Sequence, residues 1–150
     1  MRRIAFAAAM TLAMTGGTAM AGETFILKYG DGGVLTPEAQ AAVEMQAIEG
    51  MNFSYGVFTE LPDAGVTFAR GVVPAGKEVP AHAGPNLYAV YVESGTGQLT
   101  LFNEAQEPTG TMPYATGTLL IFPPNAQHGW IVESDEDFVW FGIDLPGKQE

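Results

Sequence analysis

Beyond residue 50 the chain breaks into short runs of alternating or continuous apolar residues, each closed by Gly, Pro, Asn or Asp. The runs are NFSYGVF, GVTFARGVV, LYAVYVE, GQLTLFN, GTLLIFP, HGWIV and DFVWFGIDL. They are rich in Val, Phe, Tyr, Leu and Ile and too short for helices, so they predict strands. SGTG at 94–97 reads as a tight hairpin, and SDED at 134–137 as a polar one. Seven or more such strands at this spacing predict an all-β sandwich or barrel rather than alternating βαβ units.

The first fifty residues differ. ETFILKY at 23–29 predicts a first strand, stopped by GDGG. A helix is then expected from Thr36 to about Gly50, with Thr36 as cap, Pro37 in the first turn and Glu38 at the positive end of the dipole. Residues 1–21, MRRIAFAAAMTLAMTGGTAMA, read as an export signal of the Sec type. Arg2 and Arg3 form its charged end, Ile4 to Met14 its apolar run, and Ala19-Met20-Ala21 its cleavage site. That apolar run is too short to span a bilayer, and no later segment approaches the required length. The expected organisation is a signal over 1–21, an N-terminal strand and helix over 22–50, and a barrel domain over 51–150. Cleavage after Ala21 places the mature chain in the periplasm or outside the cell.

Composition narrows the chemistry. The chain has no cysteine, which removes disulfides, thiolate metal sites and cysteine nucleophiles. All 17 acidic residues follow the cleavage site, against four bases, Lys28, Arg70, Lys77 and Lys148, leaving a formal charge of −13. Such a surface is unsuited to nucleic acid or anionic membranes. No nucleophile elbow, phosphate loop or pair of catalytic carboxylates is present. The acidic run at 133–137 reads as a solvated turn, because it lacks the spacing of a calcium loop.

Both histidines fall in two related stretches, GKEVPAHAGPNLYAVYVESG from Gly76 and GTLLIFPPNAQHGWIV from Gly117. Together they resemble the paired motifs of the cupin superfamily. Gly76, His82 and Gly95 hold the register of the first motif, and Gly117, Pro123 and His128 that of the second. Gly84 stands where the family has a second histidine, and Tyr88 where it has a glutamate. Asn125 and Val132 replace the glycine and asparagine of the second motif. The resemblance implies a jelly-roll barrel whose mouth holds a divalent metal (Fe, Mn, Ni, Cu or Zn) on three histidines and a glutamate. It also implies reactions of the dioxygenase, isomerase or lyase type.

Half of that ligand set is missing here. Two imidazoles hold a metal weakly, and a working site usually has about three protein ligands. Tyr88 is the candidate third ligand by register, with Asn86, Gln127 and Glu78 as other oxygen donors nearby. The leading expectation is a binding protein with a small organic molecule in the barrel mouth. The alternative is a metal-dependent small-molecule enzyme using His82 and His128.

Strand alternation puts Trp130 on the face of His128, and Tyr88 on that of Val90 and Val92, so Tyr88 and Trp130 are expected pocket residues. Arg70 shares a face with Phe68 and Val72. It is a candidate for a ligand carboxylate, unless the inward face of that strand is the other one. A homodimer remains open, with ETFILKY adding to a partner's sheet.

Overall fold

The structure is a computed structural model that describes residues 24–146; the leader read over 1–21 lies outside these residues. Among the described residues there are twelve strands: β1 (Phe25–Tyr29), β2 (Leu35–Ala39), β3 (Gln46–Ile48), β4 (Phe53–Leu61), β5 (Val66–Val73), β6 (Glu78–His82), β7 (Leu87–Ser94), β8 (Gly97–Phe102), β9 (Pro108–Tyr114), β10 (Leu119–Phe122), β11 (His128–Val132) and β12 (Phe138–Leu145). All pairings are antiparallel. A six-stranded sheet in the order β10-β7-β12-β5-β4-β3 faces a four-stranded sheet in the order β6-β11-β8-β9, and β1-β2 forms a separate hairpin. The all-β prediction holds. The hydrogen-bonded strands form two sheets and do not close into a continuous barrel.

The helix expected from Thr36 to Gly50 is not formed. Residues 35–39 pair with β1 from Phe25↔Ala39 to Tyr29↔Leu35, and Gln46–Ile48 pairs with β4. Between them Val43 and Met45 press on Gly56, where an added Cβ would meet both. Residues two apart share a face only in extended chain, so covering Gly56 and pairing with β4 override the local helical preference. Among the described residues the only helical element is a 3-10 turn at Asp31–Gly33, in the predicted GDGG stop.

Alternation sorts each strand between core and outside. Ala69, Gly71 and Val73 of β5, Val90 and Val92 of β7, and Phe138 and Trp140 of β12 are buried, and they meet Val79, Leu99, Tyr114, Trp130 and Val132 of the other sheet. Fully burying an apolar side chain of this size is worth about 1.5–3 kcal/mol, so this layer dominates the folding free energy. Gly71 is required by packing: a Cβ there would enter the indole of Trp140. The motif glycines Gly76, Gly95 and Gly117 have φ of 68°, 88° and 88°, the left-handed conformation of tight turns. Asn125, in place of a family glycine, also lies there at φ 61°, a region asparagine tolerates better than most residues.

Candidate ligand pocket

His82 ends β6 and His128 begins β11, and they sit directly opposite each other in register. Their ring centroids are 4.4 Å apart. Each Nδ1 lies 2.9 Å from the carbonyl oxygen two residues earlier, Pro80 for His82 and Ala126 for His128. A carbonyl only accepts, so each Nδ1 carries the proton and donates it. In the neutral ring Nε2 is then left as a bare acceptor. His128 is buried at 6% exposure and stacks on Phe122 with centroids 4.0 Å apart. Burial lowers its pKa to about 4, with a smaller push from His82, against the Ala126 hydrogen bond. It is therefore neutral at physiological pH.

These rings form one wall of a cavity of about 270 Å³ between the two sheets. Ile48, Phe53, Phe122 and Trp140 are its large apolar lining residues, and Tyr55, Tyr88, Asn86 and Asp144 its other polar groups. Tyr88 sits where the sequence places it. Its phenol accepts a hydrogen bond from Trp140 Nε1 at 3.0 Å and neighbours the Tyr55 hydroxyl. Gly142 makes room for it, since a Cβ there would enter the phenol. Burial and the neighbouring Tyr55 and Asp144 push the Tyr88 pKa upward, so the phenol stays protonated. Asn86 Nδ2 donates to Asp144 Oδ1 at 2.8 Å.

The structure does not bring every expected residue to this cavity. Trp130 shares the face of His128 but lies deeper. It is 4% exposed and packs against Tyr114, Phe138 and Trp140, so it supports the His128 ring edge-on at 5.7 Å without lining the pocket. Arg70 is on the outer face. Its strand turns Ala69 and Gly71 inward, and its Nε donates to Glu93 Oε2 at 2.8 Å on the surface. Tyr55, Phe53, Trp140 and Asp144 line the pocket and were not singled out from the sequence. The signal was parity: Phe138, Trp140, Gly142 and Asp144 alternate along one run, as do Phe53 and Tyr55.

The donors fit half of a four-ligand metal set. His82 and His128 have the carbonyl-anchored Nδ1 that orients imidazoles toward a metal. Among the described residues no cluster of three or more His, Cys, Asp or Glu forms around them. The Tyr88 phenol is engaged and held protonated, which disfavours it as a ligand. Gln127 Oε1 is buried without a partner but faces a second cavity behind His128, and Glu78 is exposed at the far end of β6. Gly84, where the family has a second histidine, lines the pocket with open space around its missing Cβ.

The two facing sheets and the mouth between them define a small jelly-roll protein with a cavity at one end. A profile of the cupin domain matches residues 69–144, and the chain belongs to the cupin family. No curated protein matches it in sequence. Among solved structures it is similar to the cupin domain of Schizosaccharomyces pombe Cnp3, at TM-score 0.63 and 11% identity, covering 83% of this chain and 88% of that one. It is also similar to the polyketide cyclase RemF of Streptomyces resistomycificus, at TM-score 0.57 and 14% identity over 72% and 77% of the two chains. Oxalate decarboxylase of Bacillus subtilis, which has Mn(II) centres, matches at TM-score 0.55 and 19% identity, with 69% of this chain covering 28% of that one. At these identities the likeness is one of fold.

Proposed function

We propose that the chain is an exported cupin that binds a small, uncharged, partly aromatic molecule in the cavity between its sheets. The observation that carries this reading is the pair of imidazoles with both Nδ1 atoms committed to carbonyls. They offer two Nε2 acceptors side by side at the wall of an apolar cavity. A ligand answering them has a hydrogen-bond donor on that edge, and a polar group facing the Tyr55 hydroxyl completes the match. Phe53, Phe122 and Trp140 favour a flat apolar body. Among the described residues no lysine or arginine lines the cavity, and Asp144 adds negative charge, so an anion would be desolvated without a counterion. The export pattern over residues 1–21 and the lack of cysteine support action outside the cytoplasm.

The test is thermal melting of the mature protein against a small-molecule panel in chelator. Stabilisation by a neutral aromatic donor, lost in the double variant His82→Ala, His128→Ala, supports the proposal. Stabilisation that ignores the double change would place the ligand elsewhere.

A second reading is a divalent ion held by His82 and His128, with an enzymatic role. The anchored Nδ1 atoms favour it, since a metal needs the same bare Nε2 pair. With two protein donors the ion would depend on ligand or water for its remaining positions. Metal analysis of protein purified without chelator separates the readings: stoichiometric metal lost in the double variant supports this one.

A further inference from the structure

Behind the His128 ring, away from the histidine pair, lies a second cavity of about 260 Å³. Leu99 and Leu101 of β8, Met112 of β9 and Leu120 of β10 line it, with Gln127 in its wall. The sequence leaves this space open. β9 and β10 are each an edge strand of their sheet. Met112 and Tyr114 share the inward face of β9, and the next residue on that face, Gly110, has open space where a Cβ would stand. Gly110 pairs with Leu101, so β9 brings no side chain against that leucine.

A single layer of side chains divides this cavity from the first. Phe122, Pro123, Ala126 and His128 line both, whereas His82, Tyr55 and Tyr88 line only the first. The two linings differ in kind. The first is aromatic with several polar groups; the second is largely aliphatic, and the pliable Met112 lets it adapt to a flexible occupant. Among the described residues no Lys, Arg, Asp or Glu borders the second cavity, so it suits an uncharged molecule.

One polar atom interrupts that apolar wall. Gln127 Oε1 is the one buried side-chain nitrogen or oxygen among the described residues that lacks a hydrogen-bond partner. An unmet buried acceptor costs about 1–3 kcal/mol, which a donor placed in the cavity recovers. The other polar side chain in the wall, His128, has its Nδ1 proton committed to Ala126. A buried water usually makes about three hydrogen bonds, and these side chains offer it too few. A molecule with one donor on an aliphatic body meets the acceptor and fills the apolar space together.

We propose that this cavity is a second binding site, for a short, linear aliphatic alcohol whose hydroxyl donates to Gln127 Oε1 and whose chain lies among Leu99, Leu101, Met112 and Leu120. A dry cavity of about 150 Å³ accepts a six-carbon ring, so this one has room for a chain of roughly six to eight carbons. The site is independent of what the histidine cavity binds. The two touch only through their shared wall, so its occupant is sensed by His128 more than by His82.

The mature protein, carrying carbon-13 methyl-labelled methionine and nitrogen-15 histidine, is titrated with hexan-1-ol. The Met112 methyl and His128 ring signals should move and saturate together, while the His82 ring moves far less. Methyl pentyl ether, which keeps the chain length without the donor, should bind at least about fivefold more weakly. In Gln127→Leu that difference should vanish. Leu101→Trp fills the cavity and should abolish the response. Near-UV circular dichroism confirms that the variants are folded, and Met112→Phe, read at the His128 ring, replaces Leu101→Trp if that variant is not. A Met112 signal that never saturates, equal affinity for alcohol and ether in the wild type, a preference that survives Gln127→Leu, binding untouched by the cavity-filling change, or a response centred on His82 would each overturn the proposal.

Discussion

His82 and His128 occupy directly opposed positions on β6 and β11, their ring centroids 4.4 Å apart, each with Nδ1 committed to a main-chain carbonyl. One backbone pairing therefore fixes the spacing of the rings, and two local hydrogen bonds fix their tautomers. What the pair presents to the cavity is acceptor capacity.

That acceptor capacity has a cost in acid. The folded pKa of His128 is about 4, below the ordinary value near 6.5, so the unfolded chain binds the proton first. The contribution is fully present above about pH 6.5 and is lost as pH falls toward 4, amounting to at most about 3 kcal/mol. Chemical denaturation at a series of pH values should show this fall, with a shallower slope in His128→Gln. An unchanged slope in that variant would remove His128 as its source.

The two tyrosines should separate stability from binding. Tyr88→Phe leaves the buried Trp140 N–H without its acceptor and should cost about 1–3 kcal/mol in denaturant unfolding. Tyr55→Phe should cost less than about 1 kcal/mol yet weaken ligand binding several-fold, because its hydroxyl is one of the few polar groups lining the cavity. The reverse ranking would contradict this division of roles between the two tyrosines.

Gly142→Ala should act on the same phenol by steric means. Its Cβ would enter the Tyr88 ring, and the rearrangement should cost about 1–3 kcal/mol while reducing ligand affinity. Denaturant midpoints and ligand titration of the one variant measure both effects.

Gly84→His should go the other way. The position lines the cavity with open space at its missing Cβ, so a third imidazole has room. Zinc affinity, read by calorimetry, should rise at least about tenfold over the wild type. An unchanged affinity would show that position 84 does not reach the histidine pair.

The sequence made the central strands and the facing histidines legible, because turn glycines and strand alternation are local signals and the motif spacing ties them together. It did not reveal β6 and β9, where Pro80, Pro108 and Pro113 argue against strands. Both are edge strands of the four-stranded sheet, where a proline does not break a ladder on both sides. The expected helix failed for a non-local reason: Val43, Met45 and Gln46–Ile48 are held in extended chain by β4. Arg70 and Trp130 turned on which face is inward and how deep, and parity alone leaves both open. The Tyr55, Tyr88 and Trp140 contact joins three separate strands, and no stretch of sequence contains it.

The most direct test of the cavity as a binding site is nitrogen-15 NMR of the imidazoles of the mature protein in chelator, titrated with whichever neutral aromatic donor raises its melting temperature. Both rings should begin as Nδ1–H tautomers, and both Nε2 signals should move as the ligand saturates. A stabilising ligand that leaves both Nε2 signals where they were would contradict the account.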